Sequence, residues 1–150
     1  MLDDIYNRRI LELAADIPRL GRLAAPDASA TAHSKLCGST VTVDLAVRDG
    51  TVTDFAHEVK ACALGQAAAG VLGQSVIGAS VDDLKDARDA MIAMLKSGGD
   101  GPVGRFEDLR LLKQVADYPA RHASTLVSLE ATLEAMTNAL AARTRLAGAA

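Results

Sequence analysis

The chain has 150 residues, 49 % of them hydrophobic, which suits one domain with one core, so residues 1–150 are expected to form a single unit. Sixteen Lys and Arg stand against nineteen Asp and Glu, mixed along the chain to a net charge of −3, and no basic stripe exists to neutralise a phosphate backbone. Nucleic acid is therefore excluded as an expected partner, and with two Phe, two Tyr and no Trp the core must be built from aliphatic residues on closely packed helices.

The first twenty residues, MLDDIYNRRILELAADIPRL, contain neither the unbroken apolar run of a secretory signal nor a stretch able to span a bilayer. No membrane association and a cytoplasmic location are expected. In that reducing compartment Cys37 and Cys62 are expected to be free thiols, metal ligands or reactive groups rather than a disulfide. Residues 3–17 read as an amphipathic helix on Ile5, Leu13 and Ile17, stopped by Pro18. The stretch Gly21 to Lys35 has no clear period and reads as an irregular connection.

From Val41 to Val47, apolar Val41, Val43, Leu45 and Val47 alternate with Thr42, Asp44 and Ala46, a strand with one buried face. A second run alternates Thr53, Phe55, His57 and Val59 with Asp54, Ala56, Glu58 and Lys60, and the two form an antiparallel hairpin around Asp49-Gly50. A two-residue turn would set Leu45 against Asp54, whereas a three-residue loop aligns the apolar faces, so the longer loop is expected. Its two candidate registers place Cys37 opposite residue 61 or 63. If pairing reaches both strand ends, Cys37 and Cys62 are near neighbours, since opposed β-carbons lie roughly 5 Å apart.

The run ALGQAAAGVLGQSVIG after Cys62 is too rich in Ala and Gly for a strand and predicts a helix that approaches its neighbours closely. Cys62 then lies at a helix N-terminus, where free amides and the macrodipole favour a thiolate. Ser80 with Asp83 predicts an N-cap for a helix carrying Leu84, Met91 and Leu95 and ending near Ser97. Gly98 to Pro102 is a break. A short helix is expected from Phe106 to Ala116 with Leu109, Leu112 and Val115 inward. Pro119 opens a last helix with His122, Leu126, Leu129, Leu133, Met136 and Leu140 on one stripe, fraying after Leu146.

The segment Leu36-Cys37-Gly38-Ser39-Thr40-Val41, the hairpin and Lys60-Ala61-Cys62-Ala63 together resemble the IscU, NifU and SufU iron-sulfur cluster scaffold family, in which Cys-Gly-Asp precedes a hairpin and Gly-Cys opens a helix of small residues. Pro119-Ala120-Arg121-His122-Ala123-Ser124 is similar to the stretch where that family carries its third cysteine. His122 follows Cys62 by 60 residues, a spacing closer to SufU-type members, with residues around Gly98 to Phe106 expected to be part of the inserted segment. The chain departs from the pattern at two ligands. Ser39 replaces the aspartate, and Ala123 or Ser124 replaces the third cysteine; the motif that recruits a dedicated chaperone is also missing.

The resemblance implies an α+β fold, a small antiparallel three-stranded sheet packed against several helices, with the third strand supplied from before Cys37. It implies a scaffold or carrier, not an enzyme except as a possible sulfur acceptor, that holds iron and sulfur through Cys37, Cys62 and His122. The partners implied are a cysteine desulfurase and iron-sulfur recipient proteins. Two thiolates and one imidazole suit zinc or ferrous iron with a fourth position open, and a [2Fe-2S] cluster on this set is expected to be labile. A zinc-bound SufU-type sulfur acceptor is the first alternative; a degenerate, metal-free protein-binding member is the second. A cysteine hydrolase is disfavoured, because no nucleophile elbow is present. A core or first-turn role for His122 stands beside the ligand role. His33 reads as solvated, His57 as structural and Ser39 as a turn cap.

Overall fold

The structure is a computed structural model that describes residues 7–36 and 38–149, with side chains to residue 144. Three antiparallel strands, β1 (Ala28–His33), β2 (Thr40–Arg48) and β3 (Thr51–Lys60), lie in the order β1-β2-β3. Four α-helices, α1 (Arg8–Ala15), α2 (Ala63–Ser75), α3 (Val81–Ser97) and α4 (His122–Ala149), accompany them, with a 3₁₀ segment over Gly104–Asp117 and a 3₁₀ turn over Pro119–Arg121. α4 packs on β1 and β2, and α2 is held between α1 and α4. The expected α+β class and three-stranded sheet are present.

The β2–β3 connection corrects the expected three-residue loop. Arg48 pairs with Thr51, so only Asp49 and Gly50 turn, both with positive φ (53° and 76°), the backbone that matches strand twist in the tightest hairpins. Left alone, this turn would set apolar against polar residues. A bulge after Ala46 leaves Thr53 without a partner and moves the register by one residue, so Leu45 faces Phe55, Val43 faces His57 and Val41 faces Val59. The apolar faces align as expected, through a bulge instead of a longer loop. All six of these side chains except half-buried Val59 are buried.

β1 lies in the stretch read as an irregular connection. Its sequence ASATAH does alternate, with Ala30 buried, Ala28 and Ala32 half-buried, and Ser29, Thr31 and His33 exposed. Alanine contrasts weakly with Ser and Thr, so the period was hidden. Such small side chains let α4 lie close on this edge.

The face of β2 expected to be open to solvent is not. Between α1 and β1 the chain first runs beside β3, where the Arg19 carbonyl accepts from His57 N–H and the His57 carbonyl accepts from Gly21 N–H. It then crosses the sheet and reaches β2 at Asp27, whose N–H donates to Leu45 O. Its anchor is Asp44, 1 % exposed, which accepts from Arg22 Nε (2.7 Å) and Nη2 (3.0 Å), Leu23 N (3.0 Å) and Ser29 Oγ (2.5 Å). The Arg22 guanidinium, foremost, holds the carboxyl pKa down at about 2.

Helix α1 is shorter than the expected 3–17. Asn7 is extended and caps it by accepting from Ile10 N–H at 3.0 Å, and Asp16 ends it; residues 1–6 lie outside the described residues. Ser80 and Asp83 form a reciprocal capping box on α3, as expected, and α3 ends at Ser97 before left-handed Gly98. The segment expected as a short α-helix from Phe106 is 3₁₀, with a kink at Phe106. Its buried residues Phe106, Leu109, Leu112 and Val115 recur every third position, the period of a 3₁₀ turn and not of an α-helix. α4 continues through Ala149, past the point where fraying was expected, and buries far more than one stripe, including Ser124, Thr125, Ser128 and Thr132. Among the described residues no helix is long and apolar enough to cross a membrane.

Candidate functional site

Cys62 joins β3 to α2. Its backbone is extended (φ −66°, ψ 171°) and occupies the N-cap position, with its carbonyl accepting from Gln66 N–H at 2.9 Å and its side chain making no capping bond. The expected place of Cys62 at a helix start is therefore observed. The half-buried thiol stands beside the free amides of the first turn of α2.

The group that meets the sulfur comes from α4. Cys62 Sγ lies 3.6 Å from Ser124 Oγ, and Ser124 Oγ in turn donates to the Arg121 carbonyl at 3.1 Å. Ser124 is fully buried and Ala123 is exposed, so of the two residues expected to stand in place of a third cysteine, Ser124 is the one facing Cys62. Gly65 makes the approach possible. A β-carbon there would stand 3.0 Å from the Ser124 carbonyl oxygen and 2.8 Å from Ala61 Cβ, so the first turns of α2 and α4 touch through backbone. The sequence signal for this contact was the polar cluster Ser124-Thr125 inside an apolar helix.

His122 is buried, and its Nε2 lies 3.0 Å from the Val115 carbonyl and 3.1 Å from that of Ala116. A carbonyl only accepts, so Nε2–H is the donor and ties α4 to the 3₁₀ segment. Among the described residues no group of three or more His, Cys, Asp or Glu is gathered to hold a metal. Cys37 lies outside the described residues. The β2–β3 ladder among the described residues ends at Thr40 and Lys60, two residues short of Cys62.

Ser39 is buried and its carbonyl accepts from Ser34 N–H at 2.8 Å, while Gly38 N–H donates to Ser34 O at 2.9 Å, closing the β1–β2 loop. His33 belongs to the end of β1, exposed, with Nδ1 3.1 Å from Thr40 Oγ1. His57 is fully buried on the core face, as expected for a structural residue. Its Nε2 donates to Pro18 O at 2.9 Å and its ring meets Phe55 edge-on at 4.9 Å. Burial pushes its pKa down, against the raising effect of the Pro18 bond.

Known proteins share the fold of this chain. Residues 5–125 match the family described as NifU-like N terminal domain. A curated relative, the iron-sulfur cluster assembly scaffold protein IscU of Thermotoga maritima, is 27 % identical over 134 residues, covering 88 % of this chain and 92 % of its own. The crystal structure of a NifU-like protein (N-terminal) from Brucella abortus is 59 % identical with a TM-score of 0.90, covering 93 % of this chain and 96 % of that one. A SUF-system scaffold from Fervidobacterium islandicum shares the fold at 19 % identity and a TM-score of 0.77, covering 88 % and 96 %. With the match spanning the sheet, the Cys62 helix start and the opening of α4, this chain belongs to the NifU-like N-terminal domain family of iron-sulfur cluster scaffolds.

Proposed function

We propose that the protein is a scaffold or carrier that receives sulfur from a cysteine desulfurase, combines it with iron between Cys37 and Cys62, and passes the cluster to recipient proteins. The observation that carries this reading is the Cys62 thiol at the α2 N-cap, without a capping bond of its own, set against Ser124 in a chain of the scaffold family. For sulfur acceptance the Cys62 thiolate attacks the outer sulfur of a donor persulfide. One S–S bond forms, the donor's S–S bond breaks, and the donor cysteine leaves as thiolate. Two thiolates with a hydroxyl or imidazole form fewer soft ligands than a stable cluster takes, so the assembled cluster is held for release.

Anaerobic purification followed by elemental analysis tests this. The parent retains iron with sulfide, or becomes coloured on reconstitution, and Cys37→Ala and Cys62→Ala lose it. Unchanged metal and sulfur in both variants would overturn the proposal. The facing of Cys62 by a hydroxyl also favours a second reading, a zinc-bound sulfur acceptor, because zinc accepts a site of two thiolates and an open position. Equimolar zinc, desulfurase activation and no chromophore would select that reading over the first.

A further inference from the structure

We infer that Ser124 is a catalytic residue for the onward transfer of sulfur from Cys62, its hydroxyl donating a hydrogen bond to Cys62 Sγ as that atom becomes the leaving thiolate. This inference rests on the proposed role of Cys62 as sulfur acceptor and assigns a second residue to the same chemistry. With Cys62 protonated, the two groups form a short relay. The thiol donates to Ser124 Oγ at 3.6 Å, and Ser124 Oγ donates to the Arg121 carbonyl at 3.1 Å. Once Sγ carries a second sulfur it has no proton of its own to give. The Ser124 hydroxyl, which both donates and accepts, then turns its O–H from the Arg121 carbonyl to the sulfur.

An acceptor thiolate attacks the outer sulfur of the Cys62 persulfide and forms a new S–S bond. The bond from the outer sulfur to Sγ breaks, and its electron pair stays on Sγ as a thiolate. Charge therefore develops on Sγ, and transfer quickens as that thiolate is stabilised. Ser124 is fully buried, so its hydroxyl acts from a side closed to water, where a hydrogen bond to a developing charge is strong and needs little reorganisation. Its place is fixed by the backbone contact of α2 with α4, since a β-carbon at Gly65 would stand 3.0 Å from the Ser124 carbonyl oxygen. A hydroxyl is also a weak nucleophile, so it leaves the outer sulfur to the acceptor where a thiol at this place would compete. Ser128 Oγ, one turn along α4, is equally buried and has no hydrogen-bond partner among the described residues, which makes it the matched control.

The test uses the full chain with Cys37→Ala, which leaves Cys62 as its single cysteine. Inorganic polysulfide, added without oxygen, charges Cys62 with a persulfide that mass spectrometry reads. Cyanide then attacks the outer sulfur, forms a C–S bond and expels the Cys62 thiolate, and the thiocyanate released gives the rate. Ser124→Ala is expected to slow this release about tenfold, the order of a hydrogen bond to a charged group, while Ser128→Ala keeps the rate of the single-cysteine chain. Polysulfide treatment of Ser124→Cys is expected to end in a disulfide between positions 62 and 124. There the introduced thiolate attacks Sγ, an S–S bond forms, and the outer sulfur leaves as hydrosulfide. An unslowed Ser124→Ala, equal slowing by Ser128→Ala, a lasting persulfide without that disulfide in Ser124→Cys, or no persulfide on Cys62 at all would each overturn the inference. Charging of Cys62 by the cysteine desulfurase, read separately by mass spectrometry, tests the functional reading. Normal charging with cyanide release indifferent to Ser124 would remove the role of Ser124 alone, and no charging with release still dependent on Ser124 would remove the scaffold reading instead.

Discussion

Replacing Asp44 with Asn isolates the clamp that closes the outer face of the sheet. The carboxylate accepts four hydrogen bonds, two of them from one guanidinium, and these bonds hold the segment between α1 and β1 across β2. Its pKa falls from 3.8 to about 2, which corresponds to about 2.5 kcal/mol at about 1.4 kcal/mol per pH unit. Only one layer of chain covers the group, and the Arg22 side chain is 51 % exposed, so solvent screening reduces the charge contribution to about 1–2 kcal/mol. Because the folded pKa is depressed, this stability is present above pH about 4 and is lost as pH falls from there through about 2. Asn keeps one acceptor oxygen but presents an amide to the guanidinium, so Asp44→Asn is expected to cost about 2 kcal/mol at pH 7. Urea unfolding of parent and variant at pH 7 and pH 2 measures both numbers. Equal midpoints at pH 7, or a difference that persists undiminished at pH 2, would refute the reasoning.

Two further predictions follow from buried contacts. His57 has a lowered pKa and its Nδ1 has no partner among the described residues, so the unfolded chain takes up the proton first as pH drops below about 6.5. The melting temperature should therefore fall between pH 7.5 and 5.5 in the parent and fall less in His57→Phe; identical slopes would show that another group governs this range. Gly65→Ala forces a β-carbon between α2 and the Ser124 carbonyl, and overpacking of about 1–3 kcal/mol outweighs the helix preference for Ala of about 0.5–1 kcal/mol. A lower urea midpoint with weaker metal retention is the expected outcome, and a more stable variant with undiminished metal would contradict the close approach of α2 and α4.

Where pattern and chemistry were local, residues announced their structure. The alternation of Val41, Val43, Leu45 and Val47, the Ser80–Asp83 cap and the small residues after Cys62 each specify an element within a few positions, because periodicity and capping act between near neighbours. The Cys37 and Cys62 motifs, with the departures at Ser39 and at Ala123-Ser124, were equally visible and led to the family. β1 escaped because Ala against Ser and Thr carries little contrast, and the 3₁₀ segment because a period of three over four turns resembles a short amphipathic helix.

Long-range choices had no such trace. Whether Ala123 or Ser124 faces Cys62, whether the His122 Nε2 serves Val115 and Ala116, and why an aspartate belongs on the outer face of a central strand all depend on which distant segment arrives there. Those meetings are decided by packing: Gly65 lets two helix starts touch, a bulge at Thr53 rephases a hairpin, and Arg22 is carried over Asp44 by the chain that links one sheet edge to the other. Residue types alone determined which chemistry the chain carries; only close contact between remote segments decided which groups share a site.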